Sequence, residues 1–200
     1  MSKNKSDKIK KEDGYDWMVM PDSYFATALL CCETLLRSNI NLDAGAFKGF
    51  SSKHQDYELI RPLVFNFKQG IELYVKGLAG LFVGEYAFCH DIREIFEQGI
   101  QQAKTSSAEY KFFTDLHRET WPIIEKYYYG LYIPTHTDYG HPDKLNISER
   151  YPRCGTGYDL GKYYSWVKIE KIQEIKKDIC DLEKIFAEAK RNQKIDFKFA

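Results

Sequence analysis

The chain has no excess charge of either sign: Lys+Arg and Asp+Glu each number 29, so the formal net charge is zero. That balance excludes the global positive field of an obligate duplex-DNA binder, though not a local basic face. Long apolar runs are also missing. The first, Trp17 to Met20, is too short for a signal peptide, and no segment approaches the roughly 20 residues a membrane helix needs. Paired cysteines are missing as well. The five thiols Cys31, Cys32, Cys89, Cys154 and Cys180 are odd in number, two are adjacent and no CxxC occurs. This argues against a disulfide framework or a structural zinc site and points to a reducing, cytoplasmic compartment. A Gly-rich phosphate loop, a GxSxG elbow and an HExxH helix are all absent, so no cofactor or resident metal is expected. What is abundant is aromatic: 15 tyrosines and 13 phenylalanines, residues suited to half-buried walls and interfaces.

The pattern along the chain is helical. Residues 1–20 read as a disordered tail rich in lysine, and residues 191–200 as a polar tail. Between them, 21–190 form one domain. The spacing predicts a first helix from Asp22 to Arg37, with Tyr24, Ala28, Cys31, Cys32 and Leu35 on one face. A second runs from about Tyr57 to Val83, with Pro62 in its first turn and a wide apolar stripe. Lys68, Glu72 and Lys76, four apart, read as a ladder of ion pairs along one edge. A third starts at Asp91, with Glu94 completing a capping box, and a fourth starts at Ser106, with Pro122 expected to kink or split it near Trp121. The last spans about Lys162 to Lys190, with Ile172, Ile175, Ile179, Leu182 and Phe186 at three- and four-residue steps. Residues 130–161 have no helical period and form one long irregular loop, a length that usually signals function or disorder. The fold class is therefore all-α: an antiparallel bundle of four to five helices.

Three constellations carry possible chemistry. Glu72 and Lys76 lie one turn apart, and His90-Asp91 opens the next helix, so the four could line one ligand pocket. The plainer and preferred reading makes Asp91 an N-cap, packs His90 beside it and leaves Glu72–Lys76 as a helix-surface pair. A buried Glu there would require a partner. Arg150-Tyr151-Pro152, with Arg153 beside it, reads as a phosphate or base contact, Arg as bidentate donor and Tyr as stacking surface; alternatively it anchors the loop to the bundle. His136, Asp138, His141 and Asp143 have the composition of a divalent site but are equally natural turn residues.

The string Phe65-Asn66-Phe67-Lys68-Gln69-Gly70-Ile71-Glu72-Leu73-Tyr74-Val75-Lys76 resembles the second helix of a HEPN-type domain. His90-Asp91-Ile92 is similar to the Gly-His-Asp-Leu element that opens the next helix there, with Cys89 in place of Gly. Arg150-Tyr151-Pro152 resembles an Arg-Tyr-Pro element of one branch. The resemblance covers roughly residues 20–190. It implies an all-α bundle, homodimerisation, RNA or nucleotide as ligand, and a bacterial defence or toxin–antitoxin setting with an antitoxin or other defence protein as partner. In the catalytic branch, an Arg and a His four to six residues apart meet across a dimer cleft and cut RNA. Here Arg61, Arg93, Arg118, Arg150 and Arg153 have no such His, which argues against a standard ribonuclease site. Were the chain to cleave RNA, Arg150 would contact the phosphate and His141 or His90 would move the proton. Glu72, Lys76, Asp91, Tyr151 and Arg153 would then bind the ligand. Two other readings stand beside this one: a protein-interaction module using the charged last helix and the tyrosines, and a metal-dependent hydrolase using residues 136–143.

Overall fold

The computed structural model describes residues 8–9, 11–38, 54–83, 86–87, 90–102, 107–130 and 167–192. They form five helices, α1 (Lys11–Arg37), α2 (His54–Val83), α3 (Ile92–Gln102), α4 (Ser107–Tyr128) and α5 (Ile169–Asn192). Two strands of two residues each, β1 (Lys8–Ile9) and β2 (Tyr86–Ala87), pair antiparallel with Lys8 opposite Ala87 and Ile9 opposite Tyr86. The architecture is the all-α bundle that the apolar periodicities predict. None of the described helices is long and apolar enough to cross a membrane.

Side-chain contacts give the helix directions. Phe25 of α1 packs on Phe67 and Tyr74 of α2, while Tyr24 meets Phe65, and Asp22 bonds Tyr74, so positions ascending α1 meet positions descending α2. Asp22 also pairs with Lys190 and Glu33 with Lys176, which sets α1 antiparallel to α5. Phe96 rests on His117 and Gly99 on Phe113, while Asp91 reaches Tyr129, which sets α3 antiparallel to α4. α2 is the central element: every residue from Gly70 to Gly80 is buried.

Gly70 marks the closest approach of α1 and α2. A Cβ there would stand 2.5 and 2.6 Å from Cδ1 and Cε1 of Phe25, a ring fixed among Phe67, Tyr74 and Phe186. Gly70→Ala should therefore destabilise the protein by about 1–3 kcal/mol through overpacking, although alanine in a helix interior is worth about 1 kcal/mol over glycine. Urea unfolding reads the balance; an unchanged or raised midpoint would contradict this contact.

Several boundaries differ from the sequence-based expectation. α1 begins at Lys11, not Asp22, so part of the expected tail is helical and the helix passes through Pro21. Pro-Asp-Ser reads as a cap, but proline's own φ is helical, so a helix can pass through it at the cost of one backbone hydrogen bond and crowding of the carbonyl four residues earlier. α2 begins at His54, which places Pro62 inside the helix rather than in its first turn. Pro122 does not split α4, which continues through it. Pro122 is exposed, while Phe113 and Leu116 before it and Ile124 and Tyr128 after it are buried in one core. α5 begins at Ile169. Residues 131–166 lie outside the described residues, and with them Arg150, Tyr151, Arg153, His136, Asp138, His141, Asp143 and Cys154.

Candidate functional site

The stripe of Lys68, Glu72 and Lys76 on α2 is buried. This corrects the expectation of a surface ladder. Charges at i and i+4 are spaced alike whether solvent or protein surrounds them. Glu72 is 1% exposed and Lys76 0%, and the ammonium lies 2.7 Å from Glu72 Oε1. The same oxygen lies 2.8 Å from Nδ1 of His90, which is 38% exposed. One buried carboxylate thus holds an ammonium in the core and an imidazole at the surface. A carboxylate at Nδ1 selects the tautomer that carries its proton there and presents Nε2 as the ring's acceptor. Lys68 Nζ sits over the Tyr128 ring at 4.7 Å, and Tyr128 Oη donates to the Lys68 carbonyl at 2.5 Å.

Asp91 is the N-cap of α3, as expected. Its Oδ1 accepts from the backbone N–H of Arg93 at 3.0 Å and of Glu94 at 3.4 Å. The other half of the capping box is not made by Glu94, whose carboxylate accepts from Gln98 instead. Tyr129 Oη donates to the same Asp91 oxygen and accepts from the Arg93 N–H. The Arg93 guanidinium lies 4.3 Å from the centre of the Tyr129 ring and 5.3 Å from that of Trp121, with Glu125 at 3.8 Å. His117 stacks on Trp121 at 4.8 Å, and burial lowers its pKa.

Glu72, Lys76, His90 and Asp91 therefore gather where α2 faces the start of α3. Arg93, Trp121 and Tyr129 join them, and sequence reasoning did not single these out. Arg93 in the turn after a His-Asp cap was the available signal; its two aromatic partners come from the far end of α4, and nothing local announces them.

Burial, and then the bond to Asp91, raise the Tyr129 phenol above its ordinary value near 10. A raised folded pKa contributes stability that is complete below the unfolded pKa and is lost as pH rises through the folded value. Wild type should therefore lose stability above about pH 10, by at most about 1.4 kcal/mol per pH unit for this one proton. Tyr129→Phe should flatten that limb while costing about 1 kcal/mol at neutral pH. Urea titrations from pH 8 to 11, with the other tyrosines common to both proteins, isolate the difference.

A separate cavity of about 220 Å³ opens between α4 and α5, with Phe112, Leu116 and Ile185 beside the carboxylates of Asp115, Glu119 and Glu188. None of the candidate residues lines it, and its carboxylates would repel a phosphate. Cys31, Cys32 and Cys180 are free, and burial pushes the Cys32 thiol up to about 12, so that thiol is not a nucleophile at neutral pH. Among the described residues no group of three His, Cys, Asp or Glu side chains could hold a metal.

Fold and site together define an all-α bundle with a buried charge pair that reaches the surface through one histidine. No family model, curated protein or solved structure matches the chain.

Proposed function

We propose that the chain is a cytoplasmic HEPN-like bundle protein that binds RNA or nucleotides, forms a homodimer and serves a bacterial defence or toxin–antitoxin system. The observation that supports a ligand site is the Glu72–His90 contact. A carboxylate buried in the central helix is costly, and this one is spent on orienting a half-exposed imidazole three residues before an aromatic-stacked guanidinium, Arg93. Imidazole and guanidinium are the two groups that recognise a phosphate and manage its protons. Binding rather than cleavage is the activity assigned, because no arginine has a histidine at the ribonuclease spacing.

The alternative of an interaction module built on the last helix has less support. α5 directs Lys176 to Glu33, Lys190 to Asp22, and both Glu174 and Asp178 to Lys126, all within the bundle.

Fluorescence anisotropy with a labelled single-stranded RNA and with nucleotides, at low salt, tests the reading. His90→Ala, Arg93→Ala and Arg150→Ala should each weaken binding roughly tenfold or more, since one charge-assisted hydrogen bond is worth about 1.5–3 kcal/mol. The first two variants should keep the wild-type melting temperature within a few degrees. Absence of binding by the wild type, or equal binding by all three variants, overturns the proposal.

A further inference from the structure

Two aromatic rings hold the Arg93 guanidinium. Its central carbon lies 4.3 Å from the centre of the Tyr129 ring and 5.3 Å from that of Trp121. The carboxylate it pairs with, Glu125, stands 3.8 Å away, beyond hydrogen-bond reach, and both of these side chains are half exposed. Among the described residues the guanidinium donates no hydrogen bond. Cation–π attraction acts on the charge, so the planar fork of N–H donors keeps its capacity for an oxygen acceptor. The rings are braced in turn. Trp121 lies 5.5 Å from Tyr129, stacks on His117 and meets the buried Phe96 edge-on at 6.2 Å.

Tyr129 does more than lend a ring. Its hydroxyl accepts from the Arg93 backbone N–H at 3.1 Å and donates to Asp91 Oδ1. The cap of α3 does not need the first of these bonds, because Asp91 already accepts from the same N–H at 3.0 Å. One residue thus fixes both the backbone and the charged end of Arg93. From this geometry we infer that Tyr129 is a positioning residue of the ligand site, whose ring holds the Arg93 guanidinium ready for an anionic phosphate oxygen. A long charged side chain loses much rotamer freedom when a ligand immobilises it. One that is already fixed in the free protein loses little, and the saving appears as affinity.

The inference rests on the function proposed above and names the residue on which that site's arginine depends. Fluorescence anisotropy with the labelled single-stranded RNA and with nucleotides, at low salt, tests it. Tyr129→Leu should weaken binding roughly three- to tenfold, the cost of immobilising one side chain. Tyr129→Phe loses the same hydroxyl bonds but keeps the ring, and should stay within about twofold of the wild type. The double variant Tyr129→Leu with Arg93→Ala should bind no more weakly than Arg93→Ala alone, because Tyr129 acts through Arg93; a general loosening of the bundle would add its own loss. Arg93→Lys reads the same bracket at an exposed position, with wild-type melting. It should lose about as much as Tyr129→Leu, since an ammonium lacks the planar fork. Wild-type affinity in Tyr129→Leu or in Arg93→Lys, equal losses in Tyr129→Phe and Tyr129→Leu, or additive losses in the double variant overturn the inference and leave the ligand reading standing. A wild type that binds neither probe overturns both.

Discussion

Glu72→Ala should cost about 3–5 kcal/mol, the usual penalty for removing one partner of a buried ion pair. The reason is what it leaves behind. Lys76 is fully buried, and its ammonium lies 2.7 Å from the carboxylate that would be deleted. Deleting Glu72 takes a charge partner at 2.7 Å away from a fully buried ammonium. For a domain whose total stability is about 5–15 kcal/mol, that loss takes a large share. Equilibrium urea unfolding checks it, and a loss below about 1 kcal/mol would mean that the pair behaves as a solvent-exposed one.

The double replacement Glu72→Leu with Lys76→Met adds the functional part. Apolar residues of similar volume in place of a buried pair are often neutral or stabilising. If the double variant recovers most of the stability lost by Glu72→Ala, the pair is not there to hold the bundle together. Its remaining role is to place His90, and RNA or nucleotide affinity should then fall in a protein that folds well. That outcome would separate positioning from structure more cleanly than a substitution of His90 itself, which removes the contacting group along with its orientation.

How much of this was legible in the sequence depends on how local each signal is. The apolar stripe of α2 and the periodicity of α5 are patterns within one helix, and both helices exist, with starts that differ from the expected ones. The Asp91 cap was equally readable, because an N-cap bonds the backbone two and three residues ahead. Burial of Lys68, Glu72 and Lys76 was not readable: an i, i+4 ladder has one spacing whether water or three other helices surround it. The sequence allows Glu72 and His90 to share a pocket, but for the same reason it favours the surface pair. Helices continue through Pro21, Pro62 and Pro122, where the sequence suggests a start or a break; at Pro122, burial on both sides outweighs the missing hydrogen bond. The Arg93–Tyr129 contact joins residues 36 positions apart and has no local signature.

Phe186→Ala is the second large effect, about 3–5 kcal/mol by the usual cost of truncating a buried aromatic. Phe186 is fully buried on α5 and stacks on Tyr74 of α2, with ring centres 4.4 Å apart and planes 7° from parallel. Phe25 of α1 closes the group, 6.3 Å from Phe186 and 5.4 Å from Tyr74. Three helices therefore meet at one ring, and deleting it opens a cavity that none of them can fill alone. The polar lid on this cluster adds to the cost: Tyr74 Oη donates to Asp22 and accepts from Lys190 Nζ at 2.8 Å, so a shift of Tyr74 into the void strains both bonds. Phe186→Leu, which keeps most of the apolar volume, should lose markedly less. The cluster lies on the α1–α2–α5 side of the bundle, whereas His90 and Arg93 stand where α2 meets α3 and α4. Sites that share no partners act nearly independently. Phe186→Ala should therefore lower the urea midpoint sharply yet leave ligand affinity intact at a temperature where the variant is still folded. A parallel loss of affinity in the folded variant would mean that the site depends on the packing of the whole bundle rather than on the Glu72–His90 contact.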